Sequence, residues 1–176
     1  MDLLRRIYTR MKRLEGLSLM VLIGIALLGV ALGSVACSSS AGRNAVKATW
    51  IKPQITGDTV SIPVSEIADK KIVHFNIPVA LGGEIAFMAY EIDGKINVRA
   101  NVCPPCRSIG FSLNKDTLVC DTCRTTFKAN TGKGISGACV AYPKAAVSYE
   151  ASGGKLLMRG SDLITAYQNT NEPGLP

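Results

Sequence analysis

The sequence predicts an all-β domain, a sandwich or small barrel, that follows a single N-terminal apolar helix. Three observations indicate this fold class. Apolar and polar residues alternate over short runs after Thr59, tight-turn dipeptides separate those runs, and two Cys-x-x-Cys motifs lie between the predicted hairpins. The 176 residues are enough for one compact core besides the N-terminal helix.

The N-terminal 37 residues predict attachment to a membrane. Residues 1–15 place basic side chains between apolar ones at helical spacing, which is typical of an amphipathic segment on the cytoplasmic surface. Residues 16–37 include an uncharged run of 21 residues from Leu17 to Cys37, and at about 1.5 Å per residue this helix crosses the hydrocarbon core. The basic residues before it favour a cytoplasmic N-terminus and an extracytoplasmic domain.

Cys37 leaves the kind of anchor open. It follows Ser34-Val35-Ala36, a context that resembles a bacterial lipoprotein cleavage site, although leucine is usual where Ser34 stands. We expect either a spanning helix or a lipid anchor at Cys37, with a cleaved secretory signal as the third alternative. The first two alternatives both hold the domain at the outer face of the cytoplasmic membrane.

The charge distribution does not indicate nucleic-acid binding. Five basic and two acidic residues before position 16 supply +3 of the net charge of +7, which leaves +4 for the rest of the chain. Nucleic-acid readers show a concentrated basic face. A membrane explains the N-terminal charges better.

The remaining chain is expected to form a spacer, one domain and a tail. Residues 38–57 are rich in Ser, Ala, Gly and Lys, which favours a flexible spacer in which Trp50 contacts the domain or the membrane interface. We expect the extracytoplasmic metal-binding domain over residues 58–168 and a disordered tail over 169–176. The turns are Asp93-Gly94 and Gly153-Gly154, and a short helix capped by Ser161 is predicted over 161–167. The predicted strands lie at 60–64, 72–75, 84–92, 95–99, 146–149 and 155–159.

The cysteines are the strongest functional pattern. Cys103-Pro-Pro-Cys106 and Cys120-Asp-Thr-Cys123 are separated by thirteen residues, and Cys139 follows after fifteen more. A two-residue spacer lets both thiolates of a motif face one point, so the pattern predicts two metal-binding loops that share one centre. From the residues alone, zinc, iron in a cluster or as a single ion, and a pair of disulfides all stay open.

Other residues near the motifs are weaker candidates. His74 is the only histidine and is expected in a strand, either packed or at the surface, and Met88 is expected in the core, with only a minor indication of copper. Pro104 and Pro105 lack amide protons, so hydrogen bonds to the first-loop sulfurs must come from residues such as Arg107 and Ser108. Either a charge that stabilises an anionic centre or an ordinary solvated surface explains the nearby cations Arg107, Lys115, Arg124, Lys128 and Lys133.

The segment after the second motif resembles a Rieske iron–sulfur domain. It contains Phe127, the turn Thr131-Gly132, the loop Gly137-Ala-Cys139 and Pro143. Rieske loops supply one cysteine and one histidine each, whereas all four positions here are cysteine. The resemblance implies a Rieske-like sandwich with an altered ligand set.

Residues 60–147 are more similar to the extracytoplasmic domain of the membrane iron–sulfur-containing protein family called FtrD-like. The similarity covers the strand at 85–90, Asp93-Gly94, the run from Asn101 to Cys103, the segment 115–123 and the Gly-Ala-Cys139 loop. The family usually has Asn-Pro where this chain has Val140-Ala141, which leaves the role of Cys139 open. The resemblance implies an iron–sulfur domain associated with iron uptake across the membrane.

These observations lead to three hypotheses. The first is a tethered electron carrier whose iron–sulfur cluster, of the two-iron, two-sulfur kind, is held by Cys103, Cys106, Cys120 and Cys123, with Cys139 as a further metal ligand. Its partners would be the membrane and a membrane or extracytoplasmic redox partner such as an iron-uptake permease complex. The second is a zinc-binding structural module or a copper- or iron-handling protein. The third is a dithiol module, and no motif for hydrolytic or transfer chemistry is present.

Overall fold

The computed structural model describes residues 44–80 and 82–174. This part of the chain forms thirteen strands, two α-helices and one 3₁₀ turn. The strands are β1 (Val46–Lys47), β2 (Thr49–Trp50), β3 (Gln54–Thr56), β4 (Thr59–Pro63), β5 (Ile72–Pro78), β6 (Glu84–Ile92), β7 (Lys95–Ala100), β8 (Phe111–Asn114), β9 (Thr117–Cys120), β10 (Thr126–Lys128), β11 (Gly134–Ser136), β12 (Glu150–Ser152) and β13 (Lys155–Arg159). The helices are α1 (Val64–Lys70) and α2 (Gly160–Asn171), and the 3₁₀ turn covers Pro104–Cys106.

The strands form three sheets. Their orders are β1-β8-β9-β10-β11, β12-β13-β4-β3 and β2-β5-β6-β7. Neighbouring strands are antiparallel except β2, which runs parallel to β5. The mainly β character predicted from the sequence is therefore confirmed.

Two buried apolar clusters hold the sheets together. The larger includes Phe75 and Phe87, whose rings stack with centroids 5.7 Å apart, and it extends to Leu163 on α2. The smaller cluster lies under the cysteine loops and combines residues of β5 and β6, such as Met88, with Phe111 and Phe127 from the cysteine-bearing sheet. Because this second cluster also contains Cys103, Cys120 and Cys139, the thiols belong to a packed interior.

Both predicted tight turns are present. Asp93 and Gly94 have φ of 51° and 73° between β6 and β7, and Gly153 and Gly154 have φ of 57° and 73° between β12 and β13. Positive φ at both central positions is the condition for a two-residue hairpin turn whose twist matches its strands. The turn residues thus set the register of both hairpins.

Several segments differ from the sequence predictions. Residues 46–56, expected in the spacer, form three short strands, and helix α2 reaches Asn171, beyond the expected domain end. Val64 begins α1 instead of continuing β4, because Pro63 ends the strand in extended conformation and Ile67 buries its side chain one turn later. The second hairpin uses β12, whereas residues 146–149 contribute only an isolated bridge from Ala146 to Arg99. No side chain caps the N-terminus of α2.

The predicted cytoplasmic segment, residues 1–15, and the predicted anchor, residues 16–37, lie outside the described residues, and so does Cys37. Among residues 44–80 and 82–174, no helix has the length and apolar character that a membrane crossing requires. Trp50 is described, and its ring packs edge-on against His74 with centroids 5.0 Å apart. The domain contact predicted for Trp50 is therefore present.

Candidate metal centre

The two cysteine motifs share a backbone hydrogen bond that closes each loop. The amide of Cys103 donates to the carbonyl of Ser108 at 2.8 Å, and the amide of Cys120 donates to the carbonyl of Thr125 at 2.9 Å. In both loops the first cysteine is therefore bonded to the residue five positions later. These bonds close each loop into a compact turn that aims its two sulfurs inward.

A left-handed residue completes each turn. Arg107 follows Cys106 with φ of 57°, and Arg124 follows Cys123 with φ of 61°. A residue other than glycine rarely adopts this conformation, and it persists where the surrounding structure enforces it. Its presence at matching positions indicates that both loops are shaped to hold their sulfurs.

The loops bring four sulfurs to one point. The Sγ atoms of Cys103, Cys106, Cys120 and Cys123 all lie within 4.8 Å of one another. Two contacts cross between the loops: Cys103 Sγ is 3.9 Å from Cys123 Sγ, and Cys106 Sγ is 3.7 Å from Cys120 Sγ. These four residues, the cysteine quartet below, form a ready-made set of thiolate ligands.

The quartet has an inner and an outer side. Cys103 and Cys120 are the first cysteines of their loops and have no exposed surface, whereas Cys106 and Cys123 are half-buried. Phe111 and Phe127 pack with the inner pair, their rings meeting edge to face at 5.9 Å. A centre held here would contact apolar side chains on one side and solvent on the other.

The donor set fits both a single ion and a cluster by its chemistry. A zinc ion with Zn–S bonds of about 2.3 Å places its sulfurs about 3.8 Å apart, which the two cross-loop distances match. The separation limit of 4.8 Å within the quartet is wider than that tetrahedron edge. Four thiolates are equally the usual ligands of a two-iron, two-sulfur cluster.

The thiols of the second loop are the more acidic pair. A hydrogen bond with Cys103 lowers the pKa of Cys120 to about 4, and the backbone amides of Cys123 and Thr122 act in the same direction against burial. Burial raises the pKa of Cys123, but hydrogen bonds from the Thr125 hydroxyl and amide outweigh it, so its pKa is lowered. The second loop therefore presents thiolates more readily.

The first loop stabilises the thiolate form of its cysteines less than the second loop does. The hydrogen bond with Cys120 and burial raise the pKa of Cys103, while burial raises the pKa of Cys106 to about 11 against an opposing hydrogen bond from the Ser108 amide. Pro104 and Pro105 have no amide proton to offer Cys103, as the sequence predicted. The difference in acidity arises mainly from the hydrogen bond between Cys103 and Cys120, which raises the pKa of one thiol and lowers that of the other, and from the burial of Cys106.

Cys139 stands beside the quartet but is not one of its four members. Its Sγ lies 3.7 Å from Cys123 Sγ, and its thiol is 2% exposed. Thr125 joins the two residues, because its Oγ1 accepts from the Cys139 amide at 3.2 Å and lies 3.1 Å from Cys123 Sγ. The predicted ligand role of Cys139 stays a prediction; its sulfur contacts that of Cys123, and its thiol also interacts with Cys103, whose pKa it helps to raise.

The other candidates occupy separate positions. His74 is 2% exposed within β5, so it is packed and not at the surface, and Met88 is fully buried in the smaller apolar cluster, as expected. Burial lowers the pKa of His74 to about 4, and its Nε2 has no hydrogen-bond partner. The five cations expected near the motifs, Arg107, Lys115, Arg124, Lys128 and Lys133, are all exposed.

Sequence reasoning missed the buried cation beside the quartet, Lys144. Its side chain is fully buried, and its Nζ donates to the carbonyl of Val102 at 2.7 Å. The sequence contains one signal for this burial: Lys144 stands between Pro143 and the apolar run Ala145-Ala146-Val147. Charge counting along the sequence could not detect it, because burial here is set by strands far apart in the chain.

A second missed residue, Arg99, supports the first. Its buried guanidinium donates to the carbonyls of Ala129 at 3.2 Å, Asn130 at 2.6 Å and Lys144 at 2.8 Å. It also donates to the hydroxyl of Tyr90, whose pKa burial raises to about 12. Arg99 thereby fixes the backbone of Lys144 and of the loop beside it.

A known family shares this region of the chain. Residues 67–169, which include both loops and Cys139, match the family described as membrane iron-sulfur containing protein FtrD-like. The chain belongs to this family. The FtrD-like family is one of iron–sulfur proteins, and this member presents four cysteine sulfurs at one point in the way that such a centre requires.

Two solved structures are similar to this FtrD-like chain at low identity. A chain from the complex of reduced oxygenase and oxidized ferredoxin in carbazole 1,9a-dioxygenase is 16% identical with a TM-score of 0.48, covering 60% of this chain and 95% of that one. The Sphingomonas yanoikuyae B1 ferredoxin is 17% identical with a TM-score of 0.39, covering 48% of this chain and 83% of that one. No curated protein matches.

Proposed function

We propose that this chain is a membrane-anchored, extracytoplasmic one-electron carrier in which Cys103, Cys106, Cys120 and Cys123 hold a two-iron, two-sulfur cluster. The observation that carries the proposal is the convergence of these four sulfurs within 4.8 Å in a member of a membrane iron–sulfur family. Four cysteine thiolates are the common ligand set of such clusters. The quartet is the cofactor-binding site of the proposal.

The inner and outer residues of the site have different roles in this proposal. The cluster supplies a site that takes up or gives up one electron. Cys103 and Cys120 hold it against Phe111 and Phe127, which exclude water from the inner side. Cys106 and Cys123 are half-exposed, so electrons enter and leave past these two sulfurs. Access on one side only restricts exchange to a partner that docks over the outer pair.

The proposed location and partner follow from the N-terminal sequence and the family. The basic segment and the uncharged run from Leu17 to Cys37 support a cytoplasmic N-terminus and an extracytoplasmic domain. The family description supports a membrane protein. We place the redox partner among membrane or extracytoplasmic proteins, in the first instance an iron-uptake permease complex.

Cys139 has the place of a reserve ligand in this proposal. Its sulfur is 3.7 Å from that of Cys123, the more solvent-accessible cysteine of the acidic second loop. For Cys139 to take the place of Cys123 as a ligand, one loop would have to shift, and the new ligand would again be a cysteine thiolate. Under ordinary conditions the quartet alone holds the cluster.

A second candidate is a non-redox metal site that binds zinc, or one that carries copper or iron as cargo. The cross-loop distances of 3.7 Å and 3.9 Å favour it, because a single tetrahedral ion needs sulfurs about that far apart. In this case the loops would stabilise the fold and would not exchange electrons.

A reductive titration of the full chain, purified in detergent without oxygen, tests the electron-carrier proposal. We expect the protein to accept one electron per chain from dithionite and to return it to ferricyanide, with reversible bleaching of visible absorption. Cys120→Ser is the matched control, because serine replaces the most acidic thiol without changing its size greatly. A colourless protein that holds zinc and accepts no electrons would overturn the proposal.

A further inference from the structure

A buried ammonium group lies beneath the cysteine quartet. The Lys144 side chain has no exposed surface, and its Nζ donates to the carbonyl of Val102, the residue before Cys103, at 2.7 Å. The same Nζ lies 4.6 Å from the centroid of the Phe127 ring and 5.5 Å from that of Phe111. These contacts fix the ammonium in the apolar wall on the inner side of the quartet.

No carboxylate neutralises this charge. Among residues 44–80 and 82–174, no aspartate or glutamate is buried, and the ion pair found there joins Lys70 to Glu66 on α1. A carbonyl oxygen and two ring faces compensate a desolvated ammonium only in part. A buried cation is stable when an anion lies nearby. Because none of the described carboxylates is buried, the thiols are the groups that can supply this negative charge.

The thiols are the anionic groups that Lys144 faces. Phe111 lies directly opposite Cys120 across β8 and β9, and Phe127 packs in the same cluster as Cys103. Burial lowers the pKa of Lys144 to about 8, and the charges of Cys103, Cys120, Cys139 and Cys106 oppose that shift. The ammonium and the inner sulfurs therefore share one low-dielectric compartment.

We propose that Lys144 is the fixed counter-cation of the quartet, and that its charge raises the reduction potential of the proposed cluster. This inference rests on the proposed function. A two-iron, two-sulfur core with four thiolates carries two negative charges when oxidised and three after it accepts one electron from a donor protein. A fixed positive charge stabilises the more negative state more strongly, so it favours reduction without any transfer of a proton.

The position of Lys144 distinguishes it from the surface cations. The exposed lysines and arginines around the loops act through water and are screened by salt. Lys144 acts through apolar side chains, where the same charge has a larger effect. Its contribution to the potential should therefore be the largest of any lysine near the quartet and should change little with ionic strength.

Redox titration of full-chain variants, purified in detergent without oxygen, tests this inference. Lys144→Met keeps the length of the side chain and removes its charge, and Lys144→Gln keeps a donor for the Val102 carbonyl. Lys128→Met is the matched control, because Lys128 is exposed and adjacent to Phe127. We expect both Lys144 variants to be at least tenfold harder to reduce, which is about 59 mV for one electron, and the control to change less than about twofold.

A merely structural role for Lys144 gives a different result. In that case the variants would unfold at a lower temperature, but those that retain iron and sulfide would keep the wild-type potential within about twofold. That outcome would overturn the inference. A fall in potential that high salt removes would also contradict it, because it would place the responsible charge at the surface.

Titration of the metal-free, reduced protein with Co²⁺ tests the inference in two further cases, in which the Lys144 variants assemble no cluster or the wild type holds zinc instead of iron. Co²⁺ bound by four thiolates is a doubly negative centre, which a counter-cation stabilises. If the Lys144 variants assemble no cluster, we expect both to bind Co²⁺ at least tenfold more weakly than Lys128→Met, and equal affinity would overturn the inference. If the wild type holds zinc and no iron, the proposed function fails, and the Co²⁺ affinities still decide the role of Lys144.

Discussion

At the scale of single residues, the quartet and Cys139 differ in what they contact. The quartet sulfurs face one another, whereas Cys139 lies outside the quartet and contacts Cys123. We expect Cys103→Ser and Cys120→Ser to reduce bound iron to about a tenth or less, because a serine hydroxyl is a poor ligand for iron–sulfur centres. Cys139→Ser should retain iron and visible absorption close to wild type.

Iron analysis and absorption spectra of the three proteins, prepared together without oxygen, provide the measurement. Loss of iron from Cys139→Ser to the same extent as from Cys120→Ser would show that Cys139 is a ligand under ordinary conditions. Retention of iron in Cys103→Ser would contradict the quartet as the site.

His74 makes stability depend on pH. Burial lowers its pKa to about 4, whereas an unfolded histidine has a pKa of about 6.5. Between these values the unfolded chain binds more protons than the folded one, so the free energy of unfolding falls as pH drops through that window. We expect a loss of about 2 kcal/mol between pH 7.5 and pH 5 from this residue.

Urea unfolding of the wild type and of His74→Phe at both pH values isolates this contribution. The phenylalanine keeps an aromatic ring beside Trp50 but does not titrate. The difference between the two proteins should therefore shrink or reverse at pH 5. Parallel pH profiles for the two proteins would show that His74 is not the titrating group.

The residue scale also shows what a sequence can predict of the site. The ligands were predictable, because Cys-x-x-Cys spacing fixes local geometry within a single turn. Lys144 was not, since its burial depends on Phe111 and Phe127, which reach it from other strands. Thr125 was missed for the same reason, because its bond to the Cys139 amide spans fourteen residues.

At the scale of elements, the loop between β10 and β11 supports the wall beneath the quartet. Gly132 has φ of 76°, and a Cβ there would lie 2.1 Å from the carbonyl oxygen of Lys144 and 2.8 Å from a guanidinium nitrogen of Arg99. Gly132→Ala should therefore displace the Lys144 backbone and break the Arg99 hydrogen bonds. We expect it to lower the free energy of unfolding by about 3 kcal/mol or more.

Gly94→Ala is the matched control, because Gly94 has φ of 73° but no atom within 4 Å of the added Cβ. Its cost should be limited to backbone strain of about 1 kcal/mol. Urea unfolding of both variants gives the comparison. Equal losses of stability would mean that the contacts of Gly132 with Lys144 and Arg99 contribute nothing.

Turns and strands could be predicted from the sequence where neighbouring residues determine their conformation. The hairpin turns at Asp93-Gly94 and Gly153-Gly154 follow from residues that accept positive φ. The strands within residues 46–56 were missed because they contain two or three exposed residues each, and two of them, β1 and β2, are defined by pairing with distant strands. For β2 the partner is β5, more than twenty residues later.

At the scale of the whole molecule, the proposed centre lies on one side of a mainly β domain. The larger apolar cluster joins sheet β12-β13-β4-β3 to sheet β2-β5-β6-β7, and the smaller one joins β5 and β6 to the sheet that supports the quartet. The larger cluster contains none of the cysteines, so a substitution in it should affect folding more than cofactor binding. We expect Phe75→Leu, in the larger cluster, to reduce stability by about 1–3 kcal/mol while leaving bound iron per folded chain unchanged.

Thermal unfolding combined with iron analysis of the soluble fraction tests this separation. Phe111→Leu is the comparison, because Phe111 lines the inner side of the quartet and should affect iron retention as well as stability. If Phe75→Leu lost iron as readily as Phe111→Leu, the two clusters would not be independent.

Iron and acid-labile sulfide analysis of the full chain, purified in detergent without oxygen, addresses the metal centre most directly. If the quartet holds a two-iron, two-sulfur cluster, each chain should contain about two irons and two sulfides, and Cys120→Ser should contain neither. One zinc per chain with no sulfide would contradict the iron–sulfur centre, although the four sulfurs would then still bind a metal.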